Sequence, residues 1–180
     1  MQKEPKLTRY FFKAAIPMIL VAIISGVFFD PKTVMFVLFT LLLLIAYLLY
    51  RERVGQELII AMLIAVGWTS YYVYEYTTLN IMIGRINLFP FISWTAGLVF
   101  LREVYKRLNT KHKFIVVTLL YLGILFIAEL IGYYLLGINL NGNFPSLLGL
   151  GVIHAPLIMK IFYVTAGPIY LLITDYLEIK

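Results

Sequence analysis

The stretch Asn80–Trp94, NIMIGRINLFPFISW, places an arginine, an asparagine and a proline inside a long hydrophobic region. Of the 180 residues in the chain, 62% are hydrophobic and 13% are charged. A soluble domain has about 45–50% apolar residues by a similar count. The excess predicts an all-α, polytopic integral membrane protein, with residues 1–180 forming a single transmembrane domain.

The hydrophobic segments predict a bundle of six transmembrane helices, because about 20 apolar residues are needed to cross a bilayer. The apolar run Phe144–Tyr176 is too long for one of them, since as a helix it would approach 50 Å at about 1.5 Å per residue. Gly149, Gly151 and Pro156 favour a break, so we interpret Phe144–Gly151 as a short re-entrant or interfacial segment. The predicted helices are approximately 14–29, 34–50, 58–78, 80–101, 114–137 and 153–176.

Basic residues are divided unequally between the two sets of predicted loops. Only Lys32 lies on one side, whereas twelve lie on the side that holds both termini. The positive-inside rule therefore predicts a cell-membrane protein with both termini in the cytoplasm. The twelve are Lys3, Lys6, Arg9, Lys13, Arg51, Arg53, Arg102, Lys106, Arg107, Lys111, Lys113 and Lys180.

The net charge of +6 is thus mostly a collar that faces anionic lipid headgroups and not a nucleic-acid surface. The expected partners are the lipid bilayer and a small-molecule or lipid ligand. Nucleic acid is not expected, and a further protein subunit is left open.

Five charged residues lie inside the predicted hydrophobic segments. Asp175 is at the cytoplasmic end of the last helix and is expected to be solvated, and the other four are Glu75, Arg85, Glu129 and Lys160. An isolated charge at the bilayer centre costs at least about 2.5–3.5 kcal/mol on insertion scales, so pairing is expected. All four fall in the outer half of the predicted bundle. We therefore predict one polar cluster in which Glu75 or Glu129 faces Arg85. In the alternative interpretation, Glu75 and Arg85 extend separately to the interface.

Polar and aromatic residues on the same predicted helices would line this cluster. Trp68, Tyr72 and Glu75 share one helical stripe, at offsets of four and seven residues. A kink at Pro90 would turn Asn87 toward the interior. The predicted ligand-binding residues are Trp68, Tyr72, Glu75, Arg85, Asn87, Glu129, His154 and Lys160.

The sequence contains no cysteine and only two histidines. It therefore has no thiolate ligand or thiol nucleophile, and it lacks the H-E-x-x-H, G-x-S-x-G and P-loop patterns. No metal, cofactor or catalytic residue is predicted.

Three functions are compatible with these features. Half-buried charges near discontinuous helices favour a protein that binds or transports a small polar or amphipathic solute. The second is an intramembrane enzyme acting on a lipid or isoprenoid, with Glu129 or His154 as acid or base and Arg85 or Lys160 binding an anionic headgroup. The third is a noncatalytic scaffold or subunit whose charges hold its helices together.

Overall fold

The computed structural model describes Lys13 and residues 16–18, 20–21, 23–26, 28–78 and 80–177. This part of the chain is mostly helical, as predicted, with one very small sheet. Its elements are α1 (Pro31–Tyr71), β1 (Met82–Ile83), β2 (Ile86–Asn87), α2 (Leu88–Arg107), α3 (Lys113–Leu130), a π-helical turn (Ile131–Leu135), a 3₁₀ turn (Leu147–Gly149) and α4 (Leu157–Tyr176).

Four helical segments are long and apolar enough to cross a membrane, which is compatible with a membrane protein. They are Pro31–Leu48, Val54–Tyr71, Lys113–Leu135 and Leu157–Tyr176. A shorter apolar helix covers Ile16–Gly26, and part of it, like part of the predicted helix 14–29, lies outside the described residues. The count of six spans therefore stays a prediction.

The helix α1 is bent back on itself. Its 41 residues would extend about 60 Å as a straight helix at about 1.5 Å per residue. Instead, Nζ of Lys32 in the first turn lies 4.9 Å from the ring centre of Tyr76, which follows the last turn. We call the two antiparallel halves arm A (Pro31–Leu48) and arm B (Val54–Tyr71). They correspond to the predicted helices 34–50 and 58–78.

The sequence Asp30–Thr33, which lies between the predicted helices 14–29 and 34–50, begins α1. The Asp30 carboxylate accepts a hydrogen bond from the backbone N–H of Thr33 at 2.8 Å, and Pro31 occupies the first helical position. An aspartate cap followed by proline is a favoured helix start, because proline lacks an N–H that would otherwise need a partner. Lys32, assigned to a loop by the sequence, is consequently a buried residue of arm A.

The opening stretch does not form a helix from Asn80, which corrects the predicted helix 80–101. Strands β1 and β2 pair as an antiparallel hairpin, with Ile83 opposite Ile86. Gly84 takes a φ of 59°, which glycine adopts without strain. The helix α2 then starts at Leu88, capped by Asn87. Pro90 falls in the first turn, where its missing N–H removes no intrahelical bond, so the predicted kink is not required.

The helices run alternately between two ends of the molecule. One end, the hairpin end, carries β1, β2 and the chain from 131 to 156. The other, the basic end, carries the bend of α1, residues 108–112 and the end of α4. An apolar core joins the two arms to α2 and α4 between these ends. Gly167 of α4 packs closely against the Tyr121 ring of α3.

The segment between α3 and α4 is not one continuous helix, as predicted for the run from Phe144 to Tyr176. We call it the broken segment. It contains a 3₁₀ turn at Leu147–Gly149, and α4 starts at Leu157 and not at residue 153. Its first part is attached to the loop after arm B, because the N–H of Asn141 donates to the carbonyl of Glu75 at 2.7 Å. A re-entrant position of this segment in a membrane stays a prediction.

Candidate functional site

Glu75 and Arg85 do not face each other from adjacent helices. Arm B ends at Tyr71, so Glu75 lies in an extended loop, and Arg85 lies in the turn between β1 and β2. Both side chains are exposed. None of the ion pairs within the described ranges joins any two of the four residues Glu75, Arg85, Glu129 and Lys160. The geometry that the predicted pairing required is therefore absent.

An aromatic cluster occupies the hairpin end, centred on the fully buried Tyr74. Nε1 of Trp68 donates to the Tyr74 hydroxyl at 2.6 Å. The Trp68 ring stacks on Phe162, with centroids 4.1 Å apart. Trp94 meets Phe162 and Tyr163 edge to face at 4.9 and 5.0 Å. We call these five residues the aromatic cluster. It joins arm B, α2 and α4 and brings one predicted residue, Trp68, to its centre.

Two further predicted residues surround Tyr74. The Tyr72 ring packs edge to face on the Tyr74 ring at 5.5 Å. The Asn87 amide is buried and donates to the Tyr74 carbonyl at 2.9 Å and to Oδ1 of Asn80 at 2.8 Å. The hydrogen-bonding groups of Asn87 are used to hold the loop, so its role in the structure is to position Tyr74.

Glu129 of α3 faces the aromatic cluster. Its charge acts on the hydroxyls of Tyr74, Tyr76 and Tyr163. Burial raises the pKa of Tyr74, and the Glu129 carboxylate adds to that shift, so the Tyr74 hydroxyl stays protonated. Across the part of the chain that the structure describes, the Glu129 carboxylate forms no hydrogen bond or ion pair. It therefore retains acceptor capacity within electrostatic range of these tyrosine hydroxyls.

Lys160 and His154 lie where the broken segment meets α4. Lys160 is only 7% exposed, and its ammonium donates to the carbonyl of Ser146 at 3.2 Å. The His154 ring stacks on Tyr133 with centroids 3.8 Å apart. Its Nδ1 is buried and has no hydrogen-bond partner among the described residues. The preceding residue, Ile153, is fully buried with a φ of 52°, a strained conformation for a β-branched residue.

A second polar site, missed by the sequence analysis, lies at the basic end. Glu57 of arm B and Glu103 of α2 are both fully buried, and the Lys106 ammonium contacts both carboxylates. Arg102 contacts Glu57 through Nε at 3.6 Å and Asp175 through Nη1 at 2.5 Å. We call these five residues the ionic network. It joins arm B, α2 and α4.

Aromatic residues complete this second site. The Tyr105 hydroxyl donates to Asp175, and the Lys113 ammonium lies 4.2 Å from the centre of the Tyr105 ring. The Tyr170 hydroxyl donates to the backbone carbonyl of Glu57 at 3.3 Å. Each contact links two helices, so the basic end is joined by hydrogen bonds as well as by packing.

The ionic network corrects one assignment from the sequence, which placed Arg102 and Lys106 in a loop. Asp175 was expected to be solvated; its side chain is 42% exposed and also contacts Arg102. The predicted helix ended at Leu101, whereas α2 continues to Arg107. Residues 102, 103 and 106 therefore share one helical surface. That spacing, together with the single carboxylate Glu57 near the start of the apolar arm B, was the sequence signal that could have predicted the ionic network.

Comparison with protein-family models, with curated proteins and with solved structures gives no match for this chain. The functional assignment therefore rests on the geometry of the two sites.

Proposed function

We propose that the chain is a six-span protein of the cell membrane, with both termini in the cytoplasm, that binds or transports a small polar or amphipathic solute at its hairpin end. The layout is supported by the alternating directions of the two arms, α2, α3 and α4. The helix α2, with 20 residues, has the roughly 30 Å length of a bilayer core. The positive charges of α2 are concentrated at the basic end, where the carboxylates of Glu57 and Asp175 compensate the charge of Arg102.

The single observation that carries the proposed binding function is the set of under-used polar groups beside the aromatic cluster. Glu129 has free acceptor capacity, Lys160 has one backbone acceptor, and Nδ1 of His154 has no partner within the described residues. Buried polar groups in folded proteins are nearly always hydrogen-bonded, and exceptions need an explanation. A solute with donors and acceptors would supply the missing partners, and the aromatic rings would cover its apolar part.

The experiment is a thermal-unfolding screen of the full chain in phosphatidylcholine nanodiscs. The panel contains organic ammonium ions, small carboxylates and neutral polar solutes. A ligand that binds only the folded protein raises the unfolding temperature with concentration. We expect one chemical class to do so, and expect Glu129→Gln and Lys160→Met each to reduce the shift. Thr165→Val, also on α4, is the matched control.

The proposal fails if no class of solute raises the unfolding temperature. It also fails if the shift is the same in Glu129→Gln, Lys160→Met and the wild type, because the ligand would then bind elsewhere.

A noncatalytic scaffold is the second candidate. Two observations favour it: the ionic network joins three helices, and the 4.1 Å stacking of Trp68 on Phe162 leaves no space between those two rings. A scaffold would show no solute-dependent shift in the screen above.

A further inference from the structure

A continuous groove runs along the outside of α1, between its two arms and the start of α2. Its middle section has a volume of about 230 Å³ and is walled by Leu43, Leu44, Met62, Phe91 and Ile92, among others. Its second section, of about 500 Å³, lies toward the basic end and includes Arg51, Gln56 and Ile59. Tyr47, Leu58 and Met62 line both sections, so the two sections form one groove.

The chemistry of the groove changes along its length. Two threonines line the middle section, but each hydroxyl donates to its own helix: Thr40 to the carbonyl of Phe36 at 2.7 Å and Thr95 to the carbonyl of Phe91 at 2.8 Å. Neither threonine hydroxyl therefore needs a partner from an occupant of the middle section. The section at the basic end adds the exposed side chains of Arg51 and Gln56, both hydrogen-bond donors.

The length of the groove matches one leaflet of a bilayer. The rise from Thr40 to Arg51 along α1 is about 16 Å at about 1.5 Å per residue. Half of a typical hydrocarbon core of about 30 Å is nearly the same distance. An acyl chain in the middle section would thus place its headgroup at the level of Arg51.

We propose that this groove binds one anionic phospholipid from the leaflet at the basic end of the molecule. The acyl chain lies against Leu44 and Met62, and the phosphate is bound by Arg51 with Gln56 as a second donor. A guanidinium binds phosphate through two parallel hydrogen bonds, which favours arginine for this role. The site is distinct from the aromatic cluster, which lies at the opposite end, so the proposal does not depend on the solute-binding function.

The test uses native mass spectrometry of the full chain from nanodiscs that contain equal amounts of phosphatidylglycerol and phosphatidylcholine with identical acyl chains. We expect one phosphatidylglycerol to be retained in preference to phosphatidylcholine. Arg51→Gln should lower that retention several-fold. Lys111→Gln, which removes the same charge from an exposed position at the same end, should leave it unchanged.

A second pair of variants tests the acyl chain. Leu44→Trp fills the middle section and should lower the retention of both lipids. Leu48→Trp is the matched control, because Leu48 lies one turn further along arm A, is 68% exposed and does not line the groove. An unchanged unfolding temperature in detergent for all four variants verifies that each is folded.

Several outcomes would overturn the proposal. Equal retention of the two lipids, or equal effects of Arg51→Gln and Lys111→Gln, would exclude a specific phosphate site. Equal effects of Leu44→Trp and Leu48→Trp would exclude the acyl-chain site. Displacement of phosphatidylglycerol by excess glycerol phosphate would assign the arginine to a free phosphate compound. A lipid-free dimer would assign the groove to a second copy of the chain.

Discussion

Nη1 of Arg102 on α2 lies 2.5 Å from Oδ1 of Asp175 on α4, so two charges 73 positions apart in the chain are paired at the basic end. Arg102 also contacts Glu57 of arm B, and Lys106 contacts the carboxylates of both Glu57 and Glu103. Because Glu57 and Glu103 are fully buried, these cations compensate charges that water does not reach. The charges of α2 thus connect helices and do not merely face the lipid headgroups.

The first prediction concerns the pair formed by Glu57 and Lys106. Replacing Lys106 with Met leaves two buried carboxylates with less compensation, and removing one partner of a buried pair costs about 3–5 kcal/mol. We expect Glu57→Gln combined with Lys106→Met to recover part of that loss. The measurement is a double-mutant cycle of unfolding free energies in nanodiscs. A coupling below about 0.5 kcal/mol, typical of independent sites, would contradict the structure. Glu75→Gln, at an exposed carboxylate, is the control.

The second prediction concerns a close contact between α3 and α4. A Cβ atom added at Gly167 would lie 2.9 Å from atoms of the Tyr121 ring. The Tyr121 hydroxyl also donates to the carbonyl of Tyr163, so the ring cannot move away without losing that bond. We expect Gly167→Ala to lower the free energy of unfolding by about 1–3 kcal/mol through overpacking.

Gly97 provides the matched control, because a Cβ there would meet no atom within 4 Å. Alanine favours a helix over glycine by up to about 1 kcal/mol, so Gly97→Ala should be neutral or stabilising. The measurement is the unfolding temperature of each variant, compared with that of the wild type in the same detergent. Equal changes in the two variants would show that α3 and α4 do not approach at Gly167.

The long apolar helices were predictable because hydrophobic length is a direct signal of a membrane-spanning segment. The start of α2 was not, since an apolar stretch such as Asn80–Asn87 has similar hydropathy in a strand pair and in a helix. Within the candidate site, the structure places Trp68 of the predicted helical stripe in the aromatic cluster, but the stripe does not continue beyond Tyr71, where the chain becomes extended. Side chains alternate along an extended chain, so Tyr74 points inward and Glu75 points to the surface.

The third prediction tests the centre of the aromatic cluster. In Tyr74→Phe, Nε1 of Trp68 loses its acceptor in a partly buried contact, and leaving a donor unsatisfied where water is excluded costs about 1–3 kcal/mol. Tyr72→Phe removes a hydroxyl from a ring that only packs against Tyr74 and should cost less. Unfolding free energies and the tryptophan emission maximum are the measurements. Equal costs for the two variants would mean that the Trp68–Tyr74 hydrogen bond contributes nothing to stability.

The fourth prediction concerns the broken segment from Phe144 to Gly151. Apart from the amides of Leu147 and Leu150, which donate to the carbonyls of Val152 and Leu147, it has few backbone hydrogen bonds. We expect its amide protons to exchange faster than those in the middle of α3, because exchange requires open backbone hydrogen bonds. Hydrogen–deuterium exchange of the protein in nanodiscs, detected by mass spectrometry, measures the exchange rates of both segments. Uniformly slow exchange from Phe144 through Tyr176 would rule out the break.

The last prediction tests the orientation in the membrane, which follows from the positive-inside rule. The chain has no cysteine, so single cysteines report their own accessibility. Asn141 is exposed at the hairpin end, and Thr110 is exposed at the basic end. A membrane-impermeant thiol reagent applied to intact cells should label Asn141→Cys and leave Thr110→Cys unlabelled. The reverse pattern would invert the topology, and labelling of both would mean that the two ends are not separated by a membrane.

Two controls make the labelling result interpretable. After permeabilisation, Thr110→Cys should react, since its side chain is exposed and only the bilayer protects it. Val117→Cys, at a fully buried position on α3, should stay unlabelled under both conditions. The positive-inside rule gives the physical reason for the expected orientation of the chain. The basic residues Arg51, Arg107 and Lys111 lie at the same end as Thr110, and basic residues are retained on the cytoplasmic side. Labelling at Asn141 alone in intact cells therefore places the aromatic cluster toward the outside, where the proposed solute would enter.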